Sequence, residues 1–524
     1  MTTHSSGDSD AGKSTKKKAP APRTSRKRAP ARKPRTRTTK KKPDWIMGPT
    51  PQDIFSPAAF QPEPKSPEAP GIADNDRLKH LVANPDLYRV AHDVLPHREE
   101  GSAGRRSHYP PYILFIYLCA ISIYRSGRKA GVTLHSEDIW KIVLDGARHH
   151  LGDTEADALP ATGPQRHHWT GYRPKMLASL PRLREASRDA WIAQALAHGY
   201  LSTDRPRGCR LRPDRSQVVN GDATVVRPPS DQTEETTVDE KTGEIRHHRV
   251  DHDAGLQIEG GDRTVYGKKI VSQSVRKAGI AHSRIILNVD AARHRSPEED
   301  PNREEEASVA LRLSHEILDR APGVLAFVQD TVWRGKHRTP LIARGAIVFT
   351  RQHDGATPRA LKQYTYRPHC SHDVYSATGR ACERLITVDG QTLYNPLPVR
   401  DLPTRKGTKS WRFYHLVEIP CPHGPHHELI PVYETHEDRA PDPRTQRPRF
   451  NRTEHLRQIP PATDYGARYL GFRQDSESLH STLDFTHHDK RVPAYGTDGA
   501  LLVFIGLAWV INSIARARAQ PPPE

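Results

Sequence analysis

Two aspartates stand where packing gives no reason for an acid. Asp222 lies inside the β-branched run SQVVNGDATVV (216–226), and Asp330 closes a second apolar run, GVLAFVQD (323–330). A buried carboxylate without a partner is costly, so acids at the centre or end of sheet strands suit a divalent cation held by oxygen ligands. For either residue alone, a strand-end aspartate bonding a turn is an equal reading. A third acid is expected from a helix packed on the sheet, and Glu477 fits. In ARYLGFRQDSESLHSTLDF, Arg473, Glu477, Ser481 and Asp484 share one helix face. Arg473, one turn before the acid, can hold its carboxylate or contact a phosphate. By itself such spacing is more often a surface Arg–Glu pair. The three acids in this order carry weight that no single one does.

These residues need a sheet and helices to bring them together. Strand patterns cover 216–226, 264–274, 283–289, 323–330 and 345–350. Residues 304–320 (EEEASVALRLSHEILDR) read as an amphipathic helix with an acidic first turn. Further helices are predicted over 465–484 and 497–517. This order describes an α/β fold, a mixed sheet flanked by helices. Residues 351–465, rich in Pro, His, Arg and short strand-like pieces, read as an inserted β-rich module. Upstream, 77–205 looks helical. Pro110-Pro111 opens an apolar segment over 112–124, Ser136 with Glu137 and Asp138 marks a helix start that Gly146 would stop, and a third helix spans 180–198. Between them lie Arg166, His167, His168, Trp169, Tyr172, Arg173 and Lys175. They suit a DNA-binding module, and equally an ordinary helical domain with a solvated basic face.

The charge is uneven. The 524 residues carry a formal net charge of +18, and residues 1–43 alone hold 15 Lys/Arg against Asp8 and Asp10. That tail has almost nothing apolar, is expected to be disordered, and suits a polyanion such as DNA through counterion release. Residues 44–75 are Pro-rich and read as linker. The chain is expected to divide into a tail and linker (1–76), a helical domain suited to DNA binding (77–207), the first part of the sheet-bearing domain (208–350), an insertion (351–464) and C-terminal helices that complete the sheet-bearing domain (465–524). Five cysteines (Cys119, Cys209, Cys370, Cys382, Cys421) are too few and too scattered for a disulfide scaffold, which points to a cytoplasmic protein. The apolar runs 112–123 and 500–514 fall short of the ~20 residues of a membrane span.

With these residues in place, the sequence resembles the DDE transposases of bacterial insertion sequences, which have an RNase H-like catalytic domain. The long insert before the Glu477 helix resembles their subgroup with a β-strand insertion. The likeness covers about 215–350 and 465–515, and more weakly 105–130. In the subgroup the last acid sits in a Tyr-x2-Arg-x3-Glu-x6-Lys signature. Here Arg473-x3-Glu477 matches, Leu470 takes the place of the Tyr with Tyr469 beside it, and Asp484 takes the place of the Lys. Asp222-Ala-Thr224 resembles the family's Asp-x-Thr segment, and Tyr266-Gly267-Lys268 its second-strand element. The resemblance implies Mg²⁺ (or Mn²⁺) held by Asp222, Asp330 and Glu477, and two-metal cleavage and joining of DNA. It also implies Lys268, Lys269, Arg334, Lys336 and Arg473 on the DNA backbone. The expected partners are double-stranded DNA, as terminal inverted repeats and target, and a second copy of the chain in the active complex. A related nuclease without strand transfer and a DNA-binding protein with a silent site are the alternatives. Asp214, Asp475 and Asp484 are the acids that could displace a member of the set.

Two weaker signals are set aside. Cys370-Ser-His372, Cys382 and Cys421-Pro-His423 could bind zinc, but the usual C-x2-C is missing in a chain with 30 His. Gly261 to Lys269 departs from a P-loop in both glycine spacing and its final residue.

Overall fold

The computed structural model describes residues 44–56, 71–97, 107–204, 210–259, 263–293, 303–353, 355–441, 446 and 450–519. The expected disorder of the basic tail 1–43 therefore lies outside the described residues.

Among the described residues, seven helices of eight residues or more precede the sheet: α1 (Asp74–Val82), α2 (Pro85–Val94), α3 (Pro111–Tyr124), α4 (Gly127–Leu134), α5 (Glu137–Leu151), α6 (Arg166–Ala178) and α7 (Leu180–Ala197). Proline opens α3 as predicted, and every residue from Ile113 to Tyr124 is buried. A helix apolar on all sides must be covered on all sides. Gly146 does not stop α5, which runs on to Leu151 and ends at Gly152 in a left-handed conformation. A Cβ on Gly146 would lie 2.8 Å from Val82, so this glycine allows α5 to pack closely against α1. The aromatic residues of 166–175, which suited either a DNA-binding module or an ordinary helical domain, are core. Trp169 and Tyr172 are buried, and Trp169 stacks on Tyr117 at 5.6 Å.

The central sheet contains β1 (Val218–Val226), β2 (Thr264–Val275), β3 (Ile285–Ala292), β4 (Ala326–Val328) and β5 (Ile347–Phe349). Their spatial order is β3-β2-β1-β4-β5, and a short strand, Gly255–Ile258, adds to β2. β3 pairs antiparallel with β2 and β2 antiparallel with β1, while β4 and β5 run parallel to β1. Helices α8 (Glu306–Arg320) and α9 (Gly335–Ala343) make the crossovers into β4 and β5. Both faces of the sheet are covered, which explains the nearly continuous burial of β1.

The insertion is β-rich, as expected. A meander of β6 (Arg359–Arg367), β7 (Cys370–Ala377), β8 (Arg380–Ile386) and β9 (Thr392–Pro396) forms one sheet. In a second sheet, β10 (Val399–Asp401), β11 (Thr404–Lys406) and β13 (His426–Pro431) all pair with β12 (Trp411–Ile419). Part of the expected linker is structural. Trp45–Met47 adds a parallel strand to β9, Asp53 pairs with buried Arg380, and Phe55 is fully buried beside His415.

The chain ends with α10 (Asp464–Gly471), α11 (Gln474–Thr486) and α12 (Thr497–Ala519). The helix predicted over 465–484 is thus two, meeting at Phe472-Arg473. Arg473 keeps a helical conformation, and its carbonyl accepts from the Glu477 N–H, so the one-turn relation of these residues survives. Helix α12 is long and apolar enough to cross a membrane, but 83% of its apolar window is buried inside the protein. It packs on α3 and β3, with Phe115 edge-on to Trp509 at 5.7 Å. One apolar core runs through α1–α7, α12 and residues of β1–β3. The boundary expected at 207/208 is therefore not a packing boundary, because α3 needs α12 to cover it.

Asn512 shows how α12 meets the sheet. Its side chain accepts from the Ile286 N–H at 2.8 Å and donates to the Ile286 carbonyl at 2.9 Å. It thereby satisfies edge-strand groups that β2 leaves unpaired. Asn512→Ala would strand both groups in the core, an expected loss of about 2 kcal/mol in urea unfolding with an unchanged slope. A loss within about 0.5 kcal/mol would show that the edge does not depend on this residue.

Candidate active site

The strand register explains why Asp222 and Asp330 meet. Parallel pairing of β1 with β4 aligns Asn220 with Val328. Two residues further along each strand stand Asp222, in the middle of β1, and Asp330, just beyond β4. Asp222 is 7% exposed, and its Oδ1 accepts from the Ala223 N–H at 2.9 Å. The Asp330 carboxylate, on the open end, accepts from the Thr331 N–H at 2.7 Å.

Glu477 comes from the first turn of α11, which contacts β1 and is anchored by buried Leu479 and Leu483. Asp475 fixes the start of this helix. Its carboxylate is 2.8 Å from Arg215 and 3.2 Å from Arg276, and its carbonyl accepts from Arg284. Asp475 therefore faces inward while Glu477, two residues on, faces outward with 60% of its side chain exposed.

All three predicted acids converge on one guanidinium. Arg473 Nη2 lies 3.6 Å from Asp222 Oδ2 and 3.5 Å from Asp330 Oδ2, and Nη1 lies 4.0 Å from Glu477 Oε1. The two aspartate oxygens are thus no more than about 7 Å apart. Burial pushes the Asp222 carboxyl up to about 6, with Arg473 and the Ala223 N–H opposing and Asp330 and Glu306 adding to the shift. The cluster holds more negative charge than Arg473 alone balances, and at Asp222, which is buried, water shields it poorly. Hard oxygen donors gathered this way fit Mg²⁺ or Mn²⁺.

The competing acids have other roles. Asp214 caps the turn before β1 through the Ser216 N–H, Asp475 is committed to arginines, and Asp484 is exposed further along α11. Tyr469 is core, stacked on Phe349 at 4.7 Å, while its neighbour Leu470 lines a groove with Arg351, Arg473 and Glu477.

The basic residues expected on DNA divide. Lys268 is 3% exposed and paired with Asp251, a loop acid, so its ammonium is not presented to a polyanion; this corrects the expectation for that residue. Lys269 is 2.6 Å from Glu306. Arg334 is held by Glu454 at 2.5 Å, and Lys336, in the first turn of α9, is exposed. Sequence reasoning missed Glu306 and Arg351. Glu306 was legible only as a first-turn acid of α8, and Arg351 only as a cation following β5. No protein-family model matches the chain, and no curated protein matches it.

Proposed function

We propose that this chain is a DNA transposase of the DDE class, acting on double-stranded DNA through an RNase H-like catalytic domain with a β-strand insertion. The observation that carries the reading is the convergence of Asp222, Asp330 and Glu477 on Arg473. The strand order and directions support it, since they place one acid on the first strand, one after the fourth and one on a late helix.

Asp222, Asp330 and Glu477 would hold Mg²⁺ or Mn²⁺. Two such ions, when bound, supply activation of water or a 3′-hydroxyl and stabilise the leaving oxygen of an in-line displacement at phosphorus. The protein's part is placement. Backbone N–H groups fix one oxygen each of Asp222 and Asp330, leaving the others directed at the cluster. The exposed Glu477 side chain has room to adjust as DNA arrives. Arg473 balances the acids in the free protein and is within reach to contact a phosphate once cations take over that task. Arg351 adds positive charge to the groove beside Arg473 and Glu477, Lys269 and Arg334 being balanced by Glu306 and Glu454, while exposed Lys336 and the +13 tail offer sequence-blind attraction to DNA. The reading includes a cytoplasmic location, recognition of terminal inverted repeats and a dimer, since two ends must be joined to one target.

Arg473→Ala is expected to lower cleavage of DNA by about tenfold to a hundredfold while weakening DNA binding only severalfold. Cleavage rates at saturating protein, set beside binding curves, separate the two. Equal losses would make Arg473 a binding residue alone. Strand transfer itself is tested with labelled DNA ends carrying a free 3′-hydroxyl, incubated with a supercoiled target. Joined products are expected; hydrolysis without joining would indicate a nuclease.

A further inference from the structure

We propose that the insertion holds one structural Zn²⁺ on Cys370, His372, Cys421 and His426, independently of the acid site. The ligand atoms of these four residues all lie within 4.8 Å of one another. Cys370 Sγ is 3.5 Å from His372 Nε2, 3.5 Å from Cys421 Sγ and 3.3 Å from His426 Nε2. Four ligands at Zn–S of about 2.3 Å and Zn–N of about 2.0–2.1 Å, set tetrahedrally, stand about 3.3–3.8 Å apart. The three spacings from Cys370 match edges of such a tetrahedron, and the other three are no longer than 4.8 Å. Two thiolates and two imidazoles form a soft, closed donor set that selects zinc over the hard cations suited to the acids.

The fold builds this set from separate pieces. Cys370 and His372 alternate on β7, so both project from one face of the first insertion sheet. Cys421 follows β12, and His426 opens β13, in the second sheet. A cation here would join the two sheets. The surrounding groups orient the ligands as metal sites require. His372 Nδ1 is 2.6 Å from Glu383 Oε1, which leaves Nε2 for the metal. The His426 ring stacks on Tyr366 at 3.6 Å, and the Tyr366 hydroxyl donates to Glu428 at 2.8 Å. The set differs from the one visible as sequence neighbours. His426 takes the place of His423, and Cys382 is turned away, its thiol against the Ala377 and Arg380 carbonyls.

The test uses the full chain, expressed with added zinc and purified in reductant, with metal content measured by elemental mass spectrometry. Wild type and His423→Ala are expected to carry one zinc per chain, and Cys421→Ser and His372→Ala to lose it. Because a ligand variant could simply unfold, wild type is also stripped with chelator and refilled with Co²⁺. Tetrahedral visible bands with thiolate-to-cobalt charge transfer are expected. The proposal is overturned if wild type holds neither zinc nor such Co²⁺ bands. It is equally overturned by a Cys370–Cys421 disulfide in peptide maps of the reductant-purified protein, or by zinc lost in His423→Ala and kept in Cys421→Ser.

Discussion

Asp222→Asn is expected to yield a protein that is more stable than wild type and severely impaired in cleavage. The Asp222 carboxyl is buried, and its affinity for a proton is raised from 3.8 to about 6. Between those values the folded state holds the proton more tightly than the unfolded chain does. The stability linked to this group is therefore full below about pH 4 and is lost as pH rises through about 6. Above that, the ionised acid costs on the order of 3 kcal/mol, at about 1.4 kcal/mol per unit of displacement. Asparagine keeps the shape and removes the charge. Urea unfolding in chelator from about pH 4 to pH 8 should show equal stabilities at the acid end and a growing advantage for the variant. A variant less stable than wild type at pH 8 would contradict the assignment of Asp222 as a strained, charge-storing acid. The same substitution should lower cleavage by about a hundredfold to a thousandfold, since the charge that destabilises the fold is the one the chemistry uses.

Asp475→Ala is expected to be the most damaging single change near the site. It removes a carboxylate that is 2% exposed and pairs with Arg215 and Arg276, whose side chains are 18% and 22% exposed. Removing one member of a buried ion pair costs about 3–5 kcal/mol, and the partial exposure of the arginines favours the lower end. Glu477→Gln, two residues along, changes an exposed side chain and should alter stability by no more than about 0.5 kcal/mol. Equilibrium unfolding of the two variants side by side checks the division. Similar losses in both would mean that the inward and outward roles of these neighbours are wrongly divided.

What the sequence made legible was local. An aspartate inside a β-branched strand, one at the end of another, and an Arg–Glu pair one turn apart could be read from pattern alone. The strands and their approximate limits followed from the same pattern. What escaped depends on contacts between distant segments. Trp45–Met47 is three residues in Pro-rich surroundings, and only its pairing with β9 makes it a strand. Gly146 reads as a helix stop until α1 is seen to fill the space above it. Lys268 reads as a cation for DNA until a loop brings Asp251 to it. His423 stands nearer to Cys421 in sequence than His426 does, but the start of β13 selects His426. The break at Phe472 went unseen because helical periodicity continues through it. In each case the deciding partner lies outside the window that local patterning reads.

Asp222, Asp330 and Glu477 are proposed to form one metal-dependent site for DNA cleavage. The most direct measurement is Mg²⁺-dependent nicking of a plasmid carrying the DNA that flanks this gene. It compares wild type with Asp222→Asn, Asp330→Asn and Glu477→Gln, with DNA binding followed in parallel. Cleavage by wild type that chelator abolishes is expected, with a loss of about a hundredfold or more in each variant and binding retained. Cleavage that survives any one of the three substitutions, or none by wild type on DNA that it binds, would contradict the proposal.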